Sequence, residues 1–415
     1  MTNKNENRLL GINGLGRIGK LVLWNEMIHR RFDGAVINVG REVGSSLKDL
    51  VHLMETDSTY GNVSHFIYGL ATPAKHFEIL DEAEGLLGFD GFRIKILRNH
   101  RNPAQIEWRE NNVRLVVDCT GKFTDPTAPA EKEGGSLRGH LEAGAELVVL
   151  SAPFKIKDKA KKMPDDSIMM VYGINHLDLK PGKHRLVSAA SCTTTGLAHM
   201  LQPLLQKEET SQILTASMST IHAATNTQNV LDAVPKAAAT DLRKNRSVFN
   251  NIILSTTGAA KALEKIMPQI EEIGFMADSV RIPTNTVSLI ILNVTFNTRM
   301  NEKGEPLINK AFLDTLYREA AQGPQKGLLV FSERQNVSAD LIGLPAAVVI
   351  EGHETHTRTG FISLTEAMMA SLGINAGKDL HLPVTHAKIF GWYDNEYGSY
   401  ATSLGTLIKY LDNNL

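Results

Sequence analysis

Three glycines constrain this chain more than any other feature. Gly14-Leu15-Gly16-Arg17-Ile18-Gly19 follows a short apolar run, 9–13, and opens a stretch, 18–30, whose apolar Ile18, Leu21, Val22 and Ile28 share one helical face. A strand, a G-x-G-x-x-G turn and a helix in that order form the phosphate-binding corner of a dinucleotide fold. The first glycine permits the tight turn, the second lets a pyrophosphate approach backbone, and the third lets helix pack on strand. The helix N-terminus then offers free N–H groups to the phosphates. Taken alone, such a turn is also a plain structural turn.

The pattern around the turn extends the idea. Residues 35–39 read as a second strand and 46–54 as a second helix, and 114–118 and 146–150 are apolar β-branched runs. Strands alternating with helices predict a parallel, doubly wound sheet. After residue 192 the character changes. A helix is expected over 192–205, then long strands over 213–222, 287–295 and 328–331, interrupted by helices over 259–266 and 308–321. Few crossover helices point to a mixed or antiparallel sheet. The tail places Leu404, Leu407, Ile408 and Leu411 on one helical face. The domain boundary is expected just before Cys192.

A length of 415 residues supports more than one core. The formal net charge of -1 gives no broad field for nucleic acid or an anionic membrane, and neither is expected as a partner. The basic run from Lys155 to Lys162 reads as solvated surface. Two cysteines, Cys119 and Cys192, are too few for a disulfide-stapled secreted domain. With a polar Met1–Asn7 and no apolar stretch of bilayer length, a cytoplasmic location is expected.

Cys192, in Ala190-Ser191-Cys192-Thr193-Thr194, falls where a strand gives way to a helix. A thiol there feels the positive end of the helix dipole, which favours the reactive thiolate. The alternative is a small buried hydrophobe. His222, in Ser219-Thr220-Ile221-His222-Ala223-Ala224-Thr225, suits either a proton acceptor beside such a thiol or a satisfied core histidine. Anion sites could be built from Ser255-Thr256-Thr257-Gly258, Arg243, Arg246 and Arg281, though each also reads as a helix cap or a surface residue. At the end of the second strand, where an acidic residue would hold a ribose, stands Val39. Arg41 either contacts a 2′-phosphate or points into solvent, with Glu42 or backbone holding the ribose.

Together these stretches resemble the phosphorylating glyceraldehyde-3-phosphate dehydrogenase family. Eight segments carry the likeness in order: Gly11–Gly19, Asp57-Ser58-Thr59-Tyr60-Gly61, Ala190–Thr194, Thr220–Ala223, Asp241-Leu242-Arg243, Ser255–Ala262, Arg281-Ile282-Pro283-Thr284 and Trp392-Tyr393-Asp394-Asn395-Glu396. The resemblance implies an α/β fold with a Rossmann domain, 1–191, completed by a C-terminal helix, 395–415. It also implies an α+β catalytic domain with a mixed sheet, 192–394, and a homotetramer in which residues 235–252 approach a neighbour's cofactor. By the same likeness Cys192 is the nucleophile and His222 its base. Asn13, Gly14, Gly16, Arg17, Ile18, Gly19, Arg41, Thr120 and Asn395 bind NAD or NADP. Ser191, Thr193, Thr257 and Gly258 serve inorganic phosphate. Thr225, Arg246 and Arg281 serve the phosphate of a sugar-phosphate aldehyde. No metal is implied.

The chain also departs from the family. Thr195-Gly196 stand where the family has Asn-Cys, Val39 stands for its ribose carboxylate, and Ser399 intervenes between Gly398 and Tyr400 where the family has Gly-Tyr. Extra residues occupy 65–91 and 356–386, the second stretch expected as a polar surface insertion despite His353, His356, His381 and His386. These departures keep two alternatives open: a longer substrate such as erythrose 4-phosphate, or a non-catalytic redox-sensing or binding paralogue.

Overall fold

A computed structural model describes residues 8–415; Met1–Asn7 lie outside the described residues. The chain divides into two compact units. One runs through Cys192 and takes in Glu396–Leu415; the other is Thr193–Asn395.

The first unit is built on a nine-stranded sheet. Across it run Ser167–Met169, Leu186–Ser188, Leu147–Leu150, Val113–Asp118, Leu9–Asn13, Gly34–Asn38, Phe92–Leu97, Leu86–Phe89 and Glu78–Asp81. The first seven are parallel and the last two antiparallel. Strand order reverses direction beside Leu9–Asn13, so the carboxyl ends of that strand, Gly34–Asn38 and Val113–Asp118 open a crevice where such sheets bind ligands. The helix after the glycine turn, Arg17–His29, buries Leu21, Val22, Leu23, Trp24 and Met27 against the sheet. A Cβ at Gly19 would collide with the Gly14 carbonyl, so helix and turn pack that closely only with glycine there. The next helix, Leu47–Glu55, starts where the Asp49 carboxylate accepts from the amides of Ser45 (2.6 Å) and Ser46 (3.1 Å).

Residues 65–91 are woven into this unit. Their hairpin adds the two antiparallel strands, and Phe77, Leu87 and Phe89 are buried. The C-terminal helix Thr402–Asp412 sinks Leu404, Leu407, Ile408 and Leu411 into the same core.

The second unit carries an eight-stranded mixed sheet, in the order Ile253–Thr256, Phe275–Ile282, Ile213–Ala223, Ser288–Asn297, Leu380–Tyr393, Val348–Glu351 and Leu329–Ser332, with His356–Leu364 paired to Leu380–Tyr393 off that path. Alternation along Ser288–Asn297 buries Ile290, Leu292, Val294 and Phe296.

The expected polar surface insertion at 356–386 is a surface hairpin, but not a polar one. Phe361 is 60% exposed and Leu372 73%, with Ile362, Met368 and Ile374 also open. The histidines named there are dispersed: His381 bonds Ser363, His386 bonds Thr295, His353 bonds Gln335 and Glu354, and His356 pairs with Glu354. Among the described residues no group of three or more such side chains could hold a metal ion, and no helix is long and apolar enough to cross a membrane.

Candidate active site

In the first unit, a cleft at the strand ends is lined by Asn13, Gly14, Asn38, Val39, Arg41, Arg101, Thr120, Lys122 and Phe123. Its floor is a buried polar chain. Trp108 Nε1 donates to His140 Nδ1 (2.9 Å), which fixes the tautomer and leaves Nε2–H to donate to Asp118 Oδ2 (3.1 Å). Asn13 Nδ2 donates to the same oxygen at 2.8 Å, and Asn38 Nδ2 donates to Asn13 Oδ1 at 2.9 Å. The other Asp118 oxygen accepts from the amide and hydroxyl of Thr120, at 3.0 and 2.7 Å. The side chains that present Asn13 and Thr120 to the cleft are therefore locked from beneath.

The residues fit a dinucleotide. Buried Asn38 Oδ1 has no partner, so an acceptor is left at the cleft wall. A Cβ at Gly16 would meet nothing within 4 Å, so the space over the turn is open to a ligand. Three cations, Arg41, Arg101 and Lys122, line the cleft, and no carboxylate does. Arg101 Nε donates to the Gly40 carbonyl at 3.2 Å, which turns it along the cleft rim.

Arg17 departs from a simple reading of the turn. Its guanidinium donates to Asp57 (2.5 Å) and Glu396 (Nε, 2.8 Å), and lies over Tyr60. The side chain ties the glycine turn to Asp57–Gly61 and to the start of the C-terminal segment, and Ile18 packs on the core. Both carboxylates hold that guanidinium firmly protonated against the opposing effect of burial. Asp57 also accepts from the amides of Thr59 and Tyr60.

The two cysteines differ. Burial pushes the Cys119 thiol up to about 12, so it stays an inert thiol. Cys192 is the first residue of helix Cys192–Gln206, where the dipole favours a thiolate. The residue two before it, Ala190, has φ +54, a left-handed conformation rare outside glycine.

In the second unit, His222 and Arg281 lie side by side on the parallel strands Ile213–Ala223 and Phe275–Ile282. Arg281 Nη1 approaches His222 Nδ1 at 2.5 Å and the Ala223 carbonyl at 3.1 Å. Nδ1 also lies 2.8 Å from the Ala223 carbonyl; a guanidinium only donates and a carbonyl only accepts, so the two neighbours of Nδ1 favour opposite tautomers. Burial, then Arg281, push His222 down to about 4, and the imidazole is neutral at pH 7.

Thr193 is buried, its hydroxyl 2.9 Å from the Tyr393 hydroxyl, which also meets Thr220 at 2.7 Å. Asn395 Oδ1 accepts from Ser288 (2.9 Å), which leaves its Nδ2 as a donor of fixed direction. The remaining anion candidates are at the surface. Thr225 bonds Thr227 and Gln228, and Arg246 pairs with Asp232 at 2.8 Å. Thr257 and Gly258 precede helix Ala259–Ile266, Thr257 accepting from the Ala259 amide.

Sequence reasoning missed Tyr393, Ser288, Asp118, His140 and Lys122. Tyr393 and Ser288 act through partners far away in the chain. Lys122 alone carried a local signal, a cation directly after Thr120-Gly121.

The parallel sheet, its glycine turn and the cationic cleft at the switch point define a class: a protein built around a dinucleotide-binding α/β unit. Residues 8–126 match the glyceraldehyde 3-phosphate dehydrogenase NAD binding domain, and residues 191–395 match the glyceraldehyde 3-phosphate dehydrogenase C-terminal domain. The chain is 31% identical to glyceraldehyde-3-phosphate dehydrogenase 2 of Streptomyces avermitilis and 32% identical to glyceraldehyde-3-phosphate dehydrogenase of Streptomyces coelicolor, in each case over 98% of this chain and 99% of the relative. It is also 32% identical to the chloroplastic glyceraldehyde-3-phosphate dehydrogenase A of Chlamydomonas reinhardtii, over 94% of this chain and 85% of that protein. This chain belongs to the glyceraldehyde-3-phosphate dehydrogenase family.

Proposed function

We propose that the chain oxidises D-glyceraldehyde 3-phosphate with inorganic phosphate to 1,3-bisphosphoglycerate, through a thioester on Cys192. The observation that carries the reading is a family match reaching across both units, with Cys192 opening a helix.

The Cys192 thiolate attacks the aldehyde carbon, and backbone donors at the helix start face the oxygen of the resulting thiohemiacetal. Arg281 takes the substrate's phosphate, together with Thr225 and Arg246. With Arg281 drawn to that phosphate, the Ala223 carbonyl, 2.8 Å away, favours the His222 tautomer with its proton on Nδ1, reached by exchange of one proton with solvent at each ring nitrogen. Nε2 then carries the lone pair and takes the hydroxyl proton. Asn395 Nδ2 would hold the carboxamide of a bound nicotinamide, which would supply the hydride acceptor needed to oxidise the thiohemiacetal to a thioester. Inorganic phosphate, held near Ser191, Thr193, Thr257 and Gly258, attacks the thioester carbon. The acyl phosphate leaves and the thiolate is restored.

The cofactor sits on Asn13, Gly14, Gly16, Gly19 and Thr120, with Arg17 and Ile18 contributing helix N-terminal backbone, and is NAD or NADP. Val39 removes the carboxylate that would repel a 2′-phosphate, and Arg41, Arg101 and Lys122 make the cleft cationic. NADP therefore binds at least as tightly as NAD; NAD tighter by two orders of magnitude in a titration contradicts this. A homotetramer is part of the proposal, supported by exposed Val234 (91%), Leu242 (60%), Phe249 (58%) and Ile252 (76%) around 235–252. The deciding assay follows reduced nicotinamide with aldehyde, phosphate and each cofactor, for wild type and Cys192→Ser. Turnover abolished by Cys192→Ser supports the reading, and no reduction with either cofactor sinks it.

A further inference from the structure

The stretch that carries Gly398-Ser399-Tyr400 has an unusual backbone. Tyr397–Ala401 form a π-turn, in which the Ala401 amide donates to the Glu396 carbonyl five residues back at 2.9 Å. A single π-turn inserts one residue into a helix without breaking it, and such turns are frequent at functional sites. This one is anchored on both sides. Arg17 grips the Glu396 carboxylate, the Tyr397 amide donates to the Tyr60 hydroxyl at 3.1 Å, and helix Thr402–Asp412 continues directly from the turn.

Tyr400 emerges from the turn almost wholly buried, at 5% exposure, and its hydroxyl donates to the Ala190 carbonyl at 3.2 Å. Ala190 is the left-handed residue two positions before Cys192, at φ +54. Its amide is held as well, donating at 3.2 Å to Ser188 Oγ, which itself donates to the Ala152 carbonyl at 2.7 Å. A non-glycine residue keeps such a conformation only where its surroundings over-determine it. Here both faces of Ala190 are tied, one by Ser188 and one by Tyr400. Burial and the nearby Cys192 and Cys119 thiols push the Tyr400 phenol well above its ordinary range, so it remains a donor at every working pH.

We propose that Tyr400 is a positioning residue for Cys192: the π-turn carries its hydroxyl onto the Ala190 carbonyl and so locks the left-handed turn that aims the Cys192 thiol. Tyr400 touches no reacting atom in this account. It sets the plane of the peptide after Ala190, and with it the direction in which Ser191 and Cys192 enter the helix. The inference rests on the reading of Cys192 as the nucleophile.

The test uses the full chain and two readouts besides stability. In Tyr400→Phe, kcat falls roughly 10-fold while KM for the aldehyde stays within about twofold, because misaim of a nucleophile costs the chemical step rather than binding. The pH midpoint for iodoacetamide alkylation of Cys192, followed by mass spectrometry apart from Cys119, moves up as the thiol loses its place at the helix start. Glycine adopts φ +54 without strain, so in the Ala190→Gly background the Tyr400→Phe loss shrinks to under about threefold. Ser188→Ala, which frees the other side of Ala190, reproduces the Tyr400→Phe pattern and serves if the Phe variant does not fold. Unchanged kcat and midpoint in Tyr400→Phe overturn the inference. So does a loss equally large with glycine at 190, or a parallel rise in Cys119 reactivity that signals general loosening. Turnover that survives Cys192→Ser sinks the nucleophile assignment instead, whatever Tyr400 does.

Discussion

Two polar regions of this protein are built on opposite principles. Beneath the cleft of the first unit, Trp108, His140, Asp118, Asn13 and Thr120 form a closed run of hydrogen bonds, with His140 and Asp118 at 0% exposure. In the second unit, Thr225 bonds Gln228, Arg246 pairs with Asp232 and Thr257 accepts from the Ala259 amide, each contact local and separate from the others. The first is finished before any ligand arrives and holds its cleft in one shape. The second keeps its donors near water, where, in the proposed function, an incoming phosphate competes for them. His222 and Arg281 stand between these extremes, the first buried and the second half-buried, joined by a contact that, in the proposed function, a substrate anion breaks.

His222→Asn should lower kcat by about 10²–10⁴, the usual worth of a positioned base, in an assay whose thermal melting is otherwise wild-type. A variant with full kcat would make the buried histidine a packing residue and erase the contrast.

The closed network predicts a large effect on stability. His140→Leu leaves the Asp118 carboxylate and the Trp108 indole without their partner and should cost about 3 kcal/mol in urea unfolding. A loss under ~1 kcal/mol would mean that the floor of the cleft is not locked.

The pH dependence follows from the shifted imidazole. His222 sits near 4 when folded, below its ordinary 6.5, so the unfolded chain binds the extra proton first. Its contribution to stability is complete above pH 6.5 and is lost as pH falls toward 4, with a magnitude of about 3 kcal/mol. Arg281→Gln removes the second cause of that shift, so the His222 resonance in an NMR titration should move up toward 6.5. A titration midpoint that stays put or moves down contradicts the pairing.

The smallest effect belongs to the exposed pair. Arg246→Ala should leave the melting temperature unchanged and raise KM for the aldehyde a few-fold, since an exposed ion pair contributes little to folding. A clear drop in melting temperature would show that this surface is as built as the cleft.

Much of the fold is legible in the chain, because periodicity and glycine are local signals. The strand Leu9–Asn13 and the helix Ala259–Ile266 fall where the apolar pattern puts them. The hairpin at 65–91 is harder to read, since its Phe77 and Phe89 become core only when two strands join the sheet edge. At 356–386 the many histidines and hydroxyls suggest a polar surface, while Phe361, Leu372 and Ile374 are what that hairpin exposes. The site shows the same divide. Gly14–Gly19 announces itself by local context, whereas the strand-to-helix setting of Cys192 also suits a small buried hydrophobe and only the family resemblance singles it out. Ser288 and Tyr393 hold Asn395 and Thr193 across separations of more than a hundred residues, which no spacing rule reaches. The π-turn at Tyr397–Ala401 has no local signal of its own in the sequence.

The most direct test of the account is the acyl-enzyme itself. The protein is mixed with glyceraldehyde 3-phosphate and oxidised cofactor without inorganic phosphate, quenched in acid and mapped by mass spectrometry. The account predicts one 3-phosphoglyceroyl thioester per chain, on Cys192 and absent from Cys119, formed together with one equivalent of reduced nicotinamide and discharged when phosphate is added. Reduced nicotinamide that accumulates with no acyl group on Cys192 would contradict it.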